Sequence, residues 1–392
     1  SRSIRSKKTR LRWEILLSLP SNPMGRTLLA FLALLLLQIA PLLNANQKEG
    51  ESFLSLEARI QDVFNGSRSS VVRVKAAREQ RVDNKIKRFL KMGSGFFISK
   101  EAHVLTTGLL DQPDRIWIEY DNSYFLAEKI GHDPLCNISL LQLSSKPKNF
   151  TFISFPEPGA DLKIGSILIG ISCALEFKIA PTYGIMQSHE FSFGKSLFPT
   201  KMIRSSLPLG LGEVGAPVFD LRGRFIGITY TALPDLRSSF LLPANACSRI
   251  RDDLLLSGKV NYGWFGIMTN RKLNVKNGFD ILVDGFIEGS PGAESKLQKG
   301  DLLKEIGGTV IRNRGDLANA SFFSRPGTFV EFLVDREGKE LTILVKVGDR
   351  PFYDPKLRSQ KDVTPNIPFL EGNQTSESPG SRTLDLNKTV AP

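Results

Sequence analysis

Apolar and polar residues alternate in short runs between residues 66 and 243, and glycine, proline and asparagine separate the runs. Alternation with a period of two is typical of strands that bury one face, because successive side chains point to opposite faces. The clearest runs are Val71–Val74, Val104–Thr107, Ile116–Tyr120, Ile138–Leu143, Ile167–Ile171 and Phe225–Tyr230. Many short strands at this spacing predict barrels or sandwiches and a mainly β fold.

The period changes at Asn245–Ser257, where apolar residues recur at the spacing of one helix face. This pattern predicts a helix that closes the preceding β domain. A second module begins near Asn261. The tail at 351–392 is rich in proline, serine, threonine, asparagine and lysine without an apolar period, so we expect it to be disordered.

Four blocks of the first region resemble the HtrA/Deg serine proteases in order and spacing. They are Gly93–Ser99, Val104–Leu110, His132–Leu141 and Gly212–Ile228. The resemblance implies the double six-stranded β-barrel of trypsin-like proteases over residues 47–258. The helix at 245–257 would then belong to the second barrel.

Three positions of this resemblance concern the catalytic triad. Leu109 occupies the histidine position, Asn137 the position of the aspartate that orients it, and Val214 the position of the nucleophilic serine. A serine protease needs a hydroxyl, a base to take its proton and a carboxylate to hold that base. Since these residues supply none of the three groups, the sequence predicts a pseudoprotease that is not an enzyme. The alternative is a serine-type endopeptidase of the HtrA/Deg family with a substitute nucleophile.

Substitute groups are few in the sequence. His103 lies ahead of the strand that leads to Leu109, and His132 and His189 fall in predicted turns. Cys136 lies beside Asn137, but no neighbouring histidine is expected to lower its thiol pKa. We expect Cys136 to be a small apolar filler of the core.

The module at 259–350 resembles the PDZ domains of HtrA proteases. The resemblance rests on Tyr262–Met268, Val283–Ala293 and Leu297–Gly308, with Gly307 in place of the usual asparagine. It implies an α+β domain that binds a peptide C-terminus as an added strand, the carboxylate lying on loop amides. The predicted peptide-binding residues are Trp264, Phe265, Gly266, Ile267, Met268, Leu317, Ala320 and Phe323. The alternative is that the aromatic residues pack the module onto the barrels.

Residues 1–46 combine a basic lead with an apolar run of 16 residues, Leu28–Leu43. This length suits a signal peptide, with a cut after Ala45, and the long basic lead would also suit an uncleaved membrane anchor. Either alternative places the rest of the chain outside the cytoplasm, in the periplasm or its equivalent.

The net charge of +12 is concentrated in two segments, because residues 1–26 carry +6 and residues 66–91 carry +7. The second segment is predicted to be a loop between the first two strands. It carries one aromatic residue, Phe89, rather than a series interleaved with the basic residues, so nucleic-acid binding is not expected. Contact with anionic lipid headgroups, contact with an acidic partner, and a merely solvated loop remain open for it.

Three cysteines at 136, 173 and 247 form neither a disulfide framework nor a metal-binding spacing, and we expect no metal and no cofactor. Two functions remain. The first is an inactive envelope adaptor, scaffold or chaperone that binds peptides or misfolded chains. Its expected partners are protein C-termini, further copies of itself in a homo-oligomer such as a trimer, or an active HtrA paralogue. The second is an HtrA/Deg endopeptidase in envelope protein quality control.

Overall fold

The computed structural model describes residues 55–82, 85–110, 112–155, 162–193, 196–274 and 278–351. The segment at 1–46 and the tail at 351–392 lie outside these residues, except for Pro351. Residues 55–67 are helical, here called α1, and come before a short 3-10 turn at Arg68–Ser70. In the described ranges, no helix is both long enough and apolar enough to cross a membrane.

Six antiparallel strands close the first barrel in the order β1-β2-β3-β6-β5-β4. The strands are β1 (Val71–Val82), β2 (Lys85–Phe97), β3 (His103–Thr107), β4 (Arg115–Tyr120), β5 (Ser123–Asp133) and β6 (Ile138–Leu143). Alternation fills the barrel, since every second residue of β1 at Val72, Val74 and Ala76 is fully buried in its core.

The second barrel has the order β10-β11-β12-β9-β8-β7. Its strands are β7 (Ile167–Ser172), β8 (Ala180–Phe193), β9 (Ser196–Ser205), β10 (Pro217–Asp220), β11 (Phe225–Leu233) and β12 (Ser238–Pro243). A 3-10 turn, Pro234–Leu236, joins β11 to β12. The helix α2 (Ala244–Ser257) follows at once and ends where Gly258 turns left-handed at φ 72.

The third sheet belongs to the C-terminal module and has the order β14-β15-β16-β18-β19, with β17 pairing to β16. Its strands are β14 (Ile267–Asn274), β15 (Gly278–Phe286), β16 (Leu302–Ile306), β17 (Thr309–Val310), β18 (Phe329–Arg336) and β19 (Lys339–Lys346), while β13 (Gly263–Trp264) pairs with β20 (Gly348–Asp349). The helix α3 (Arg314–Phe323) begins with a capping box between Asn313 and Asp316.

The mainly β fold, with two six-stranded barrels followed by an α+β module, confirms the predicted fold class. Two local predictions are wrong. The segment between the first two strands is a hairpin of β1 and β2 rather than a loop, and His132 and His189 lie in β5 and β8 rather than in turns. Polar strand residues hide the hairpin from a search for apolar runs, because a two-stranded ribbon forms through backbone pairing without burying either face.

Candidate active-site cleft and peptide groove

The candidate cleft lies where strand β2 meets the turn that leads into β10. The amide of Ser94 donates to the carbonyl of Val214 at 3.0 Å, and Ser94 Oγ donates to the carbonyl of Gly212 at 2.8 Å. Ser94 Oγ also accepts from the amide of Cys173 at 2.9 Å. These bonds join the two barrels across the cleft.

The chain segments that carry the three predicted triad positions meet here. The amide of Gly108 donates to the carbonyl of Asn137 at 3.2 Å. A Cβ built on Gly108 would lie 3.6 Å from Val214 Cγ1, and Leu109 is the next residue. Leu109 itself packs, partly buried, against the core of the first barrel. Val214 therefore brings an apolar side chain to the cleft beside Gly108, while Leu109 contributes to the barrel core.

Gly215 sets the distance between the barrels at this point. Its φ of +90 lies in the left-handed region, and a Cβ there would stand 2.2 Å from the carbonyl oxygen of Ser94. Only glycine fits without moving the backbone. The following residue, Ala216, is fully buried, and its amide donates to Thr229 Oγ1 at 2.8 Å.

Three hydroxyls surround the same cleft. Ser94 Oγ is engaged as described, and Thr106 Oγ1 donates to the carbonyl of Ser94 at 2.7 Å. Thr107 Oγ1 is buried and has no hydrogen-bond partner within the described part of the chain. Thr107 directly precedes Gly108. Of the three hydroxyls, that of Thr107 is the one that makes no hydrogen bond within the described residues.

Two histidines form pairs with serine. His103 Nδ1 lies 2.8 Å from Ser99 Oγ, in the turn that begins β3, whereas the cleft lies at the other end of that strand. His132 Nδ1 lies 2.9 Å from Ser139 Oγ, but Ser139 is only 1% exposed. Neither hydroxyl is presented to a substrate in the cleft.

Cys136 belongs to a buried cluster that the sequence did not reveal. Asp133, fully buried, accepts from the amides of Leu135 at 3.2 Å and Cys136 at 3.0 Å and from the hydroxyl of Tyr262. Desolvation by burial raises the pKa of Asp133 and raises the pKa of the Cys136 thiol well above its ordinary value. A protonated, buried thiol fits the predicted filler role and is a poor nucleophile.

Tyr262 stands at the start of the C-terminal module, so this cluster is also a contact between domains. A second contact centres on Arg249 of α2, whose guanidinium donates to the carbonyls of Phe322 at 2.8 Å and Asn261 at 2.9 Å. The same side chain is paired with Asp253 at 2.8 Å. Asp253 in turn holds Arg325 of the C-terminal module at 2.6 Å.

The helix α3 contacts the second barrel directly. Asn319 Oδ1 accepts from Thr200 Oγ1 at 2.7 Å and from the amide of Lys201 at 3.2 Å. At Gly315 a Cβ would come within 2.2 Å of Phe191 on β8. One face of α3 is therefore fitted to the hairpin of β8 and β9.

The predicted peptide groove has an edge strand on one side. Strand β14 lies at one end of its sheet, with β15 on its inner side. Met268 on this strand is 50% exposed, and Ile267 is partly buried against the module core. Gly266, with a φ of +66, precedes the strand and accepts from the amide of Ile287 at 2.9 Å. An edge strand behind a glycine loop is the geometry that peptide addition requires.

The other predicted groove residues divide between core and boundary. Phe265 and Ala320 are buried inside the module core, against which Leu317 packs partly buried. Trp264 and Phe323 are half-buried. Phe265 packs on Phe332 with ring centroids 5.0 Å apart rather than on the barrels, and its role in binding stays a prediction.

Tyr262, Asp133 and Arg249 are functional candidates that sequence reasoning missed. The sequence signal for this contact was an arginine four residues before an aspartate within the predicted helix. In the described ranges, no cluster of histidine, cysteine, aspartate and glutamate has the arrangement of a metal site.

Two family models match the chain. A trypsin-like peptidase domain matches residues 93–228, and a PDZ domain matches residues 263–347. These ranges cover the cleft and the groove respectively.

Curated relatives cover about two thirds of the chain. A probable periplasmic serine endoprotease DegP-like of Pseudomonas fulva is 28% identical over 276 residues, which is 67% of this chain and 57% of the relative. The protein with the same description from Marinomonas is 28% identical over 288 residues, 70% of this chain and 60% of the relative. The chain thus spans less than two thirds of the length of these relatives.

Solved structures share the fold. The HtrA-type protease AlgW with a tripeptide superposes with a TM-score of 0.61 at 18% identity, over 76% of this chain and 99% of that one. A serine endoprotease from Yersinia pestis gives a TM-score of 0.53 at 18% identity, over 74% and 98% of the two chains.

The relatives contradict the prediction that this chain is not an enzyme, because they are named as serine endoproteases. That prediction rested on Leu109, Asn137 and Val214 at the triad positions and on the lack of an expected substitute among the histidines and Cys136. With both regions matched by family models and the fold shared with solved structures, the chain carries a trypsin-like peptidase domain followed by a PDZ domain.

Proposed function

We propose that the chain is a serine-type endopeptidase of the HtrA/Deg type that acts in protein quality control outside the cytoplasm. Its PDZ groove recruits the C-termini of peptides or misfolded proteins. The observation that carries this proposal is the link between the two domains. A PDZ module whose sheet ends in the edge strand β14 is joined by buried polar contacts to the domain that contains the trypsin-like cleft. The periplasmic endoproteases among the relatives support the location and the reaction class.

Peptide holding is a second function of the same groove, and it needs no bond cleavage. The exposed Met268 beside the free edge of β14 favours it. In that role the chain serves as an adaptor, scaffold or chaperone, alone, as a homo-oligomer such as a trimer, or beside an active HtrA paralogue. Attachment to the membrane would come from the apolar segment at 28–43.

Cleavage is tested with the full chain and unstructured casein, together with a fluorophosphonate probe whose attachment site is mapped by mass spectrometry. We expect casein fragments and a label at one residue of the cleft, and removing the labelled side chain should abolish both. Thr151→Val, a threonine bonded to Ser69 far from the cleft, is the matched control. Intact casein and an unlabelled protein after prolonged incubation would refute the endopeptidase function.

Recruitment is tested separately, by fluorescence anisotropy of a peptide with a free C-terminus and of the same peptide amidated. Replacing Gly266 is a poor test, because a Cβ there would stand 2.1 Å from Ser290 Cβ. Met268→Lys, on the open edge, is expected to weaken binding of the free acid at least about tenfold. Leu344→Lys, 61% exposed on the opposite edge strand, should leave it unchanged. Equal affinity for acid and amide would refute carboxylate recognition.

A further inference from the structure

The hairpin of β1 and β2 extends beyond the first barrel. Strand β1 pairs with β4 only over Arg73–Ala77, and β2 pairs with β3 only over Gly95–Phe97, whereas β1 and β2 pair with each other out to Val82 and Lys85. Residues 78–82 and 85–90, here called the arm, therefore form a two-stranded ribbon. Five residues per strand at the rise of an antiparallel strand extend it by about 17 Å.

The arm combines exposed apolar side chains with positive charge. Ile86 is 66% exposed, Leu90 58% and Phe89 43%. Residues 78–90 contain five basic and two acidic residues, a net charge of +3. A solvated loop would have no need of three large apolar side chains, and a core-forming strand would bury them.

Register divides these side chains between two faces, and Ile86 and Leu90 share one of them with Arg81 and Arg88. Residues directly opposite in a sheet share a face, and so do residues two apart on one strand. Four pairs of directly opposite residues lie on one face. From the tip of the hairpin to the barrel wall, they are Arg81 with Ile86, Glu79 with Arg88, Ala77 with Leu90, and Trp117 with Leu126. We call this the arm face.

The arm face continues onto the barrel wall. Leu126 is 55% exposed, Trp117 is half-buried, and Arg115 lies opposite Ala77. Of the acidic residues on this face, Glu79 is paired with Arg88 at 2.8 Å, and Glu128 lies exposed at the far edge. Apolar positions thus follow one another along the face with arginines between them.

We propose that the arm face binds the surface of an anionic lipid bilayer. Leucine, isoleucine and tryptophan side chains partition into the boundary between headgroups and acyl chains, and arginines beside them attract anionic headgroups. An acidic protein would pair with the arginines but would leave Ile86 and Leu90 without an apolar pocket. The apolar residues therefore favour lipid over an acidic protein as the occupant.

The test uses the full chain with vesicles of equimolar phosphatidylglycerol and phosphatidylcholine or of phosphatidylcholine alone, each made with brominated acyl chains. Because the apolar segment at 28–43 can hold the chain on any vesicle, the measurement is specific to one position. Tryptophan is introduced by Leu90→Trp, and by Leu256→Trp as the control, each in a chain whose own Trp13, Trp117 and Trp264 are replaced by phenylalanine. Leu256, on α2, is 85% exposed. We expect bromine to quench the tryptophan at 90 on anionic vesicles and to spare the one at 256.

A charge-matched pair of variants completes the design. Arg81→Gln with Arg115→Gln removes two charges from the arm face and should lower the preference for anionic over neutral vesicles at least about tenfold. Lys339→Gln with Lys346→Gln removes the same charge from the PDZ module and should leave the preference unchanged. Three results would overturn the proposal: an unquenched tryptophan at 90 on a vesicle-bound chain, equal losses from both pairs, or arm variants that alter only self-association in sedimentation or binding to an acidic protein.

Discussion

Arginine is used in opposite ways at the domain junction and on the arm. At the junction, Arg249 is 6% exposed and its donors meet three backbone carbonyls and the carboxylate of Asp253. On the arm, Arg88 pairs with Glu79 in solvent, with side chains 72% and 53% exposed. An arginine side chain thus stabilises a tertiary contact where water is excluded, whereas an arginine at the surface forms an ion pair that water weakens. Burial, rather than the number of ion pairs, should decide which arginines stabilise the fold.

The largest expected effect comes from Arg249→Leu. Removing this guanidinium leaves the carbonyls of Phe322 and Asn261 without their donor and Asp253 with Arg325 as its remaining partner. We expect a loss of about 3 kcal/mol in the free energy of unfolding, measured by urea titration. Limited proteolysis between the domains should also accelerate. A loss under about 1 kcal/mol would show that the junction does not hold the domains together.

A smaller loss is expected from Tyr262→Phe. The change removes only the hydroxyl that donates to Asp133, while the ring keeps its contact with Phe322 at a centroid distance of 5.1 Å. We expect a cost of about 1 to 3 kcal/mol by urea titration, because a buried carboxylate loses a donor. Tyr124→Phe is the control, since Tyr124 is 64% exposed and its loss should be close to neutral.

The pH dependence of stability should trace to Asp133. Desolvation raises its pKa in the folded state above the unfolded value, so the folded protein holds the proton more tightly. The contribution is present below the unfolded pKa, near 4, and is lost as pH rises through the raised folded pKa. Asp133→Asn should remove this decline from urea titrations run between pH 4 and pH 7. Asp114→Asn, at an exposed site, should keep it, and an unchanged decline in Asp133→Asn would assign it to other groups.

The smallest effect is expected from Arg88→Gln on the arm. An exposed ion pair contributes about 0 to 1 kcal/mol, and that contribution falls as salt is added. Urea titrations at low and high salt should therefore nearly coincide for the variant. A cost comparable to that of Arg249→Leu would remove the contrast between the two regions.

The sequence predicted the barrels because their strands include short runs of buried, mainly apolar residues. Ile138–Leu143 and Ile167–Ile171 are apolar runs of strand length, and both are strands in the structure. The helix α2 also follows its apolar period closely, beginning at Ala244 rather than at Asn245. Because these elements bury apolar side chains, the local pattern of apolar and polar residues predicts them.

The arm and the junction escaped prediction for a different physical reason. The paired residues from Arg78 to Val82 are held by cross-strand backbone bonds, which leave no mark on the pattern of side chains. Tyr262 and Asp133 are 129 positions apart, and their contact depends on how the module docks. Contacts between elements distant along the chain produce no local periodicity in the sequence, so the sequence pattern cannot predict them. The expectations for the triad positions came from the resemblance alone. A resemblance cannot show that the Thr107 hydroxyl is buried without a hydrogen-bond partner among the described residues.

The attachment of α3 at Asn319 has a practical consequence for ligand studies. Arg314 at the start of this helix donates to the carbonyl of Thr269 on β14 at 2.6 Å, so helix and edge strand are tied across their gap. Since Thr200 and Lys201 of the second barrel hold the same helix, the width of that gap is set partly by another domain. An excised PDZ fragment would lack this brace, and its affinities would describe a different receptor from the one in the intact protein.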